Sequence, residues 1–177
     1  MSRPVVLLCV LSLILAHTAI YQRFMRRNRS WKERPRYPVS RFVRAFRTIL
    51  AGIYVVALAD MPLALYRFGV APPGPLRLGL AVGLGAAALA LLAWSLATLG
   101  ENFSDCHDGR LPTTLVTDGP YRFLGHPIYV ANVLLLAALT TMVFDAVMVT
   151  VTLVTAIFYA QSAREETRAL RAMQPDR

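Results

Sequence analysis

LGLAVGLGAAALALLAWSLATL, from Leu78 to Leu99, contains no charged residue. At ~1.5 Å of rise per residue, a helix of about 20 apolar residues crosses the ~30 Å hydrocarbon core of a bilayer. Leu and Ala are strong helix formers. A helix that is apolar on every side belongs in lipid or deep inside protein. The whole chain agrees with this stretch. It has 177 residues, 56% of them hydrophobic and 16% charged, and its mean hydropathy is positive. That is the balance of a membrane protein of one domain rather than of a soluble core.

Four further segments resemble the first. They run over Val5–Ile20, Ile49–Tyr66, Ile128–Phe144 and Ala146–Ala160. Backbone N–H and C=O groups in lipid must be satisfied within the segment, so the expected fold is all-α: an integral membrane bundle of five transmembrane helices. Only Asp145 separates the last two segments, which predicts a tight helical hairpin. The fifth is short and marginal as a full span. Arg3 before an apolar run gives the first segment some look of a signal peptide, but the cleavage pattern is poor and a basic stretch follows, so a retained span is expected. Residues 71–75, Ala-Pro-Pro-Gly-Pro, read as a stiff turn. No internal repeat, disordered linker or separate soluble domain is visible.

The net charge of +9 suggests nucleic acid until the charges are placed. Three segments hold 16 of the 19 Lys and Arg residues: the loop around Arg23 to Arg47, the loop with Arg110 and Arg122, and the tail with Arg164, Arg168, Arg171 and Arg177. Five alternating spans put all three on one side. The positive-inside rule makes that side cytoplasmic, with the N-terminus outside. The basic loop then serves topology and meets anionic membrane lipids, and no nucleic-acid partner is expected. Trp31, Tyr37 and Phe42 interleave with its charges as in an interfacial helix, while Pro35 and Pro38 break any long one. A sharper reading has the loop gathering an acidic substrate.

The polar stretch GENFSDCHDGRLPTTLVTDGPYRFLGHP, Gly100 to Pro127, stands out in so apolar a chain. Asp118-Gly119-Pro120 signals a turn. Pro127 suits the first position of the fourth helix, where its missing N–H costs nothing. His126 then precedes a helix start, which offers free N–H groups to an anion. The hairpin returns the chain to this end, where Arg164, Glu165 and Glu166 follow the fifth span. Cationic and anionic groups at opposite ends of one pocket suit a zwitterionic ligand.

LVTDGPYRFLGHPIY, an apolar hairpin and then Arg-Glu-Glu, in that order, resemble the isoprenylcysteine carboxyl methyltransferase and phospholipid methyltransferase superfamily. LGENFS resembles the family's Leu-Gly segment closing its third core span. The similarity covers roughly Leu99 to Leu170. It implies an enzyme that takes a methyl group from S-adenosylmethionine, in a cytoplasm-facing pocket, for a lipophilic acceptor arriving from the bilayer. By that resemblance Gly119, Tyr121, His126, Pro127 and Tyr129 line the cofactor pocket. Glu165, Glu166 and Arg164 close it, and Leu115 and Val116 pack near the adenosine. Arg122, His126 and Glu165 are the candidates for catalysis. The family's Arg before His-Pro is Gly125 here; Arg122 or Arg164 would replace its hold on the cofactor carboxylate. Family members also carry a soluble tail beyond the glutamates, whereas this sequence ends at Arg177. A carboxylate or thiolate acceptor needs no strong base, whereas an amine or hydroxyl would call on His126 or a glutamate. A prenylated cysteine, a lipid amine, an isoprenoid and a small thiol all fit, and oligomeric state is open. Two rivals stay open: a nicotinamide-dependent sterol-reductase-like enzyme, which would be longer, and a non-catalytic membrane scaffold.

The remaining polar residues read more plainly. Asp105, Cys106 and His107 lack workable metal-ligand spacing, and no metal is expected. Cys9 and Cys106 are too far apart in character for a disulfide. His17 should face the bundle or the interface. Asp60 lies within a span, where a carboxylate is costly and often functional; pairing with Arg67 is the plain alternative.

Overall fold

The computed structural model describes residues 2–27, 36–66, 71–103, 112 and 114–172. They form five helices: α1 (Arg3–Arg27), α2 (Arg41–Tyr66), α3 (Pro75–Leu99), α4 (Pro127–Met142) and α5 (Ala146–Ala172). The architecture is all-α, as the composition requires. Four helices, α1, α2, α3 and α5, are long and apolar enough to cross a membrane. α4 has 16 residues and falls short of that length. The expected weak member was the fifth, yet α5 is the longest helix, with 27 residues. Its apolar part ends near Ala160, but the following SAREETRALRA consists mostly of good helix formers and continues the helix to Ala172. That extension carries Arg164, Glu165 and Glu166 on a rigid element rather than on a tail.

Local chemistry sets the helix ends. Ser40 caps α2: its hydroxyl accepts from Val43 N–H at 3.2 Å, and its carbonyl accepts from Arg44 N–H. Pro75 opens α3, and Gly100, at φ +50°, closes it with its N–H on the Leu96 carbonyl. Pro127 opens α4, as its sequence position demands. Asp145 starts α5 by accepting from Met148 N–H at 2.8 Å. This aspartate is the hairpin turn expected from the sequence.

The most extensive helix interface is α3 against α4, with α5 on α2 and α4, and α1 on α3. One core cluster joins Val6, Val10, Met61, Leu65, Ala81, Leu139, Met142 and Met148. A second joins Val43, Leu50, Tyr129, Phe158 and Tyr159. A third joins Leu92, Leu96, Phe103, Ile128 and Ala131. Leu8, Leu15, Val55, Val56, Leu80, Leu153 and Ile157 point outward and are exposed. Such an apolar exterior around an apolar core is the surface of a multi-pass membrane bundle.

One end of the bundle gathers the end of α1 and of α3, the start of α2 and of α4, and the end of α5. It carries Arg23, Arg26, Arg27, Arg41, Arg44, Arg122, Arg164, Arg168 and Arg171, and we call it the basic end. At the other end the carboxyl groups of Asp60 and Asp145 meet. Arg67, the partner suggested for Asp60, lies outside the described residues. So do Trp31, Pro35, Asp105, Cys106, His107, Arg110 and Arg177.

Candidate functional site

At the basic end a 3-10 turn, Gly119–Arg122, leads into α4. Gly119 has φ +56°, and a Cβ there would meet Thr98 Oγ1 at 2.7 Å and Trp94 Nε1 at 3.2 Å. Only glycine satisfies both the left-handed backbone and the close approach to α3. The segment before it is tied to the end of α3 by a reciprocal pair: Thr114 N–H donates to Asn102 Oδ1 at 3.2 Å, and Asn102 Nδ2 to Thr114 Oγ1 at 3.0 Å. The foot of α4 is thereby held against α3.

His126 sits at the N-cap of α4, with no side-chain cap on that helix. Its Nε2 pairs with Thr167 Oγ1 at 2.8 Å, and its Nδ1 lies 3.4 Å from Glu166 Oε2. One turn on, the buried Tyr129 hydroxyl donates to the same oxygen at 2.9 Å. A hydrogen bond to a carboxylate is charge-assisted and stronger than a neutral one. The His126 and Tyr129 rings stack at 5.4 Å, only 7° from parallel. Residues on the two sides of the hairpin in sequence therefore meet in one cluster. Glu166 is 33% exposed, so the carboxylate is reachable from solvent. Both of its contacts use Oε2, which leaves Oε1 without a hydrogen bond among the described residues.

Glu165 faces elsewhere. Its Oε2 accepts from the backbone N–H of Ser40 at 3.2 Å. In a capping box that N–H is satisfied by a Glu or Gln three residues into the same helix. Here that position is Val43, and α5 supplies the carboxylate instead. Ser40 was not legible as part of the site, because its partner is 125 residues away.

The other expected residues lie around this cluster. Pro127 is buried at the first turn of α4. Tyr121 is half-buried in the 3-10 turn, and Arg122 is exposed, its guanidinium 5.9 Å from the Phe123 ring centre. Arg164 is exposed beside Thr167, Arg168 and Arg171 around a shallow hollow of about 290 Å³. Leu115 is exposed and Val116 half-buried in the segment before the turn. At Gly125 a Cβ would meet open space.

Sequence reasoning gave His17 no partner. Its Nε2 lies 3.0 Å from Asn132 Oδ1, and Asn132 Nδ2 donates to the Tyr159 hydroxyl at 3.1 Å. Tyr159 stacks on Tyr129 at 4.9 Å. A polar and aromatic chain thus runs from α1 through α4 and α5 to Glu166. No local signal marks Asn132 or Tyr159, since each is a single polar residue in an apolar run.

This arrangement suits the zwitterionic end of a small ligand: a reachable carboxylate for an ammonium, and an uncapped helix start for a carboxylate. "Cobalt-zinc-cadmium resistance protein CzcN" of Cupriavidus metallidurans is 38% identical over 90 residues, which are 50% of this chain and 42% of that protein. The chain therefore covers less than half the length of this curated relative. No solved structure matches it. The family model of isoprenylcysteine carboxyl methyltransferase (ICMT) matches residues 81–172, from within α3 through the end of α5, a range that includes His126, Tyr129 and Glu166. The chain belongs to the ICMT family.

Proposed function

We propose that this protein is an S-adenosylmethionine-dependent membrane methyltransferase acting on a lipophilic acceptor, with its cofactor pocket at the basic end. The observation that carries the reading is the convergence of His126 and Tyr129 from α4 with Glu166 from α5. Family membership supports the activity and the cofactor. The concentration of Arg at this end supports its cytoplasmic placement, with α4 completing five passes by leaning on α3 and α5 rather than on lipid.

In this reading Glu166 Oε1 accepts the cofactor's ammonium, and the start of α4 with Arg122 or Arg164 receives its carboxylate. Glu165 positions the start of α2 through Ser40 and closes that side. Bound S-adenosylmethionine supplies a methyl group already activated on a sulfonium. The protein's part is alignment of a water-soluble donor with a membrane-borne acceptor, which contributes roughly 7–11 kcal/mol in well-oriented systems. CzcN carries a name that refers to metal resistance. That name is the relative's own, and metal binding is not transferred from it to this chain.

The test is thermal unfolding of the full chain in lipid nanodiscs. S-adenosylhomocysteine should raise the unfolding temperature and NADPH should not, and His126→Ala should remove the rise. Stabilisation by NADPH instead would favour a reductase, and stabilisation by neither a scaffold.

A further inference from the structure

A cavity of about 490 Å³ lies between α1, α2, α4 and α5. That is within the usual range for small-molecule sites, roughly 300–1,000 Å³. Its lining is graded. His17, Tyr21, Asn132 and Tyr159 stand toward the basic end, while Met61, Leu139 and Met148 stand toward the other. From Leu50 to Met61 the α2 wall extends about 16 Å at the usual helical rise. No Lys, Arg, Asp or Glu is among the described residues that line it.

The hydrogen bonds fix the character of the polar end. Asn132 gives Nδ2 to Tyr159, so its Oδ1 is the acceptor toward His17. His17 therefore donates through Nε2–H. An apolar chain fits the body of this cavity, and an uncharged head that forms hydrogen bonds fits its polar end. A carboxylate head would be buried with no Lys or Arg among the described lining residues, which is costly in such surroundings. Tyr159, which lines this cavity, stacks on Tyr129, whose hydroxyl donates to Glu166.

We infer that this cavity binds a single-chain lipid with a hydroxyl head, recognised by the His17–Asn132–Tyr159 chain, in preference to the matching carboxylate. The inference concerns binding alone and goes beyond the methyltransferase reading.

The experiment uses the full chain in phosphatidylcholine nanodiscs and a diazirine-bearing dodecanol as photoprobe. Dodecanol and dodecanoate compete against it, each corrected for partitioning into empty nanodiscs. Labelled peptides are expected from α1 around His17 and α4 around Asn132, with dodecanol about tenfold the better competitor, the effect of one lost buried hydrogen bond. Asn132→Leu should bring the two competitors within about twofold of each other by the same arithmetic. His17→Phe, which keeps a ring beside Tyr21, gives the same readout should the first variant not fold. Equal competition in the wild type, labelling elsewhere, or a preference that survives both substitutions overturns the inference. S-adenosylhomocysteine stabilisation is read on the same wild-type sample. Its loss with the alcohol preference intact removes the methyltransferase reading alone, and its presence without the preference removes the lipid site alone.

Discussion

The two ends of the bundle both hold buried or half-buried polar groups, but they use them differently. At the far end, Arg77 Nε donates to the Thr141 carbonyl at 2.7 Å, and Asp145 accepts from Met148 N–H. These bonds cap the end of α4, from α3, and the start of α5, and each satisfies a single helix terminus. At the basic end, Tyr129 and His126 reach a carboxylate 37 and 40 residues away in sequence, and Ser40 reaches one 125 residues away. That network joins three helices and leaves Glu166 a third exposed. A terminus can be capped by one neighbour, so the convergence of His126 and Tyr129 on one reachable carboxylate exceeds what folding the hairpin requires.

The contrast breaks most sharply at Glu166. Glu166→Ala removes the acceptor for Tyr129 and the proposed seat of the cofactor's ammonium. S-adenosylhomocysteine affinity, measured by calorimetry, should fall about a hundredfold, the size expected when one partner of a hydrogen-bonded charge pair is truncated. The unfolding temperature without ligand should change much less.

Asp145→Ala should do the reverse. Loss of this helix start costs about 1 kcal/mol, visible as a lower unfolding temperature, while S-adenosylhomocysteine affinity stays within about twofold. A large affinity loss here would mean that the far end belongs to the site.

The smallest effect sharpens the comparison by addition. Gly125 has open space at its Cβ and stands where the family motif carries Arg. Gly125→Arg should tighten S-adenosylhomocysteine binding about threefold, the scale of an exposed charge pair. Weaker binding would place the cofactor's carboxylate away from this turn.

Much of the fold was legible because its signals are local. The apolar run from Leu78, Pro127 at a helix start, Asp145 in a hairpin and Asp118-Gly119-Pro120 in a turn each report themselves within a few residues. The apolar span was read as far as Ala160, whereas the helix itself runs on to Ala172, because the charged residues beyond it are good helix formers. The pairing of His126 and Tyr129 with Glu166 was reachable from sequence, since a hairpin must return to its origin and the family motif names the residues. Glu165 as the cap of α2, and the His17–Asn132–Tyr159 chain, were not. They depend on which faces α1 and α2 present to the hairpin, and helices apolar on every side give no periodicity to read.

The most direct measurement is photochemical attachment of isotopically labelled S-adenosylmethionine to the full chain in nanodiscs, followed by peptide mapping. Label on the peptides holding Gly119 to Tyr129 and Ser162 to Arg168 is the result expected of a cofactor pocket at the basic end. Label on the turn around Asp145, or none above a denatured control, would contradict it.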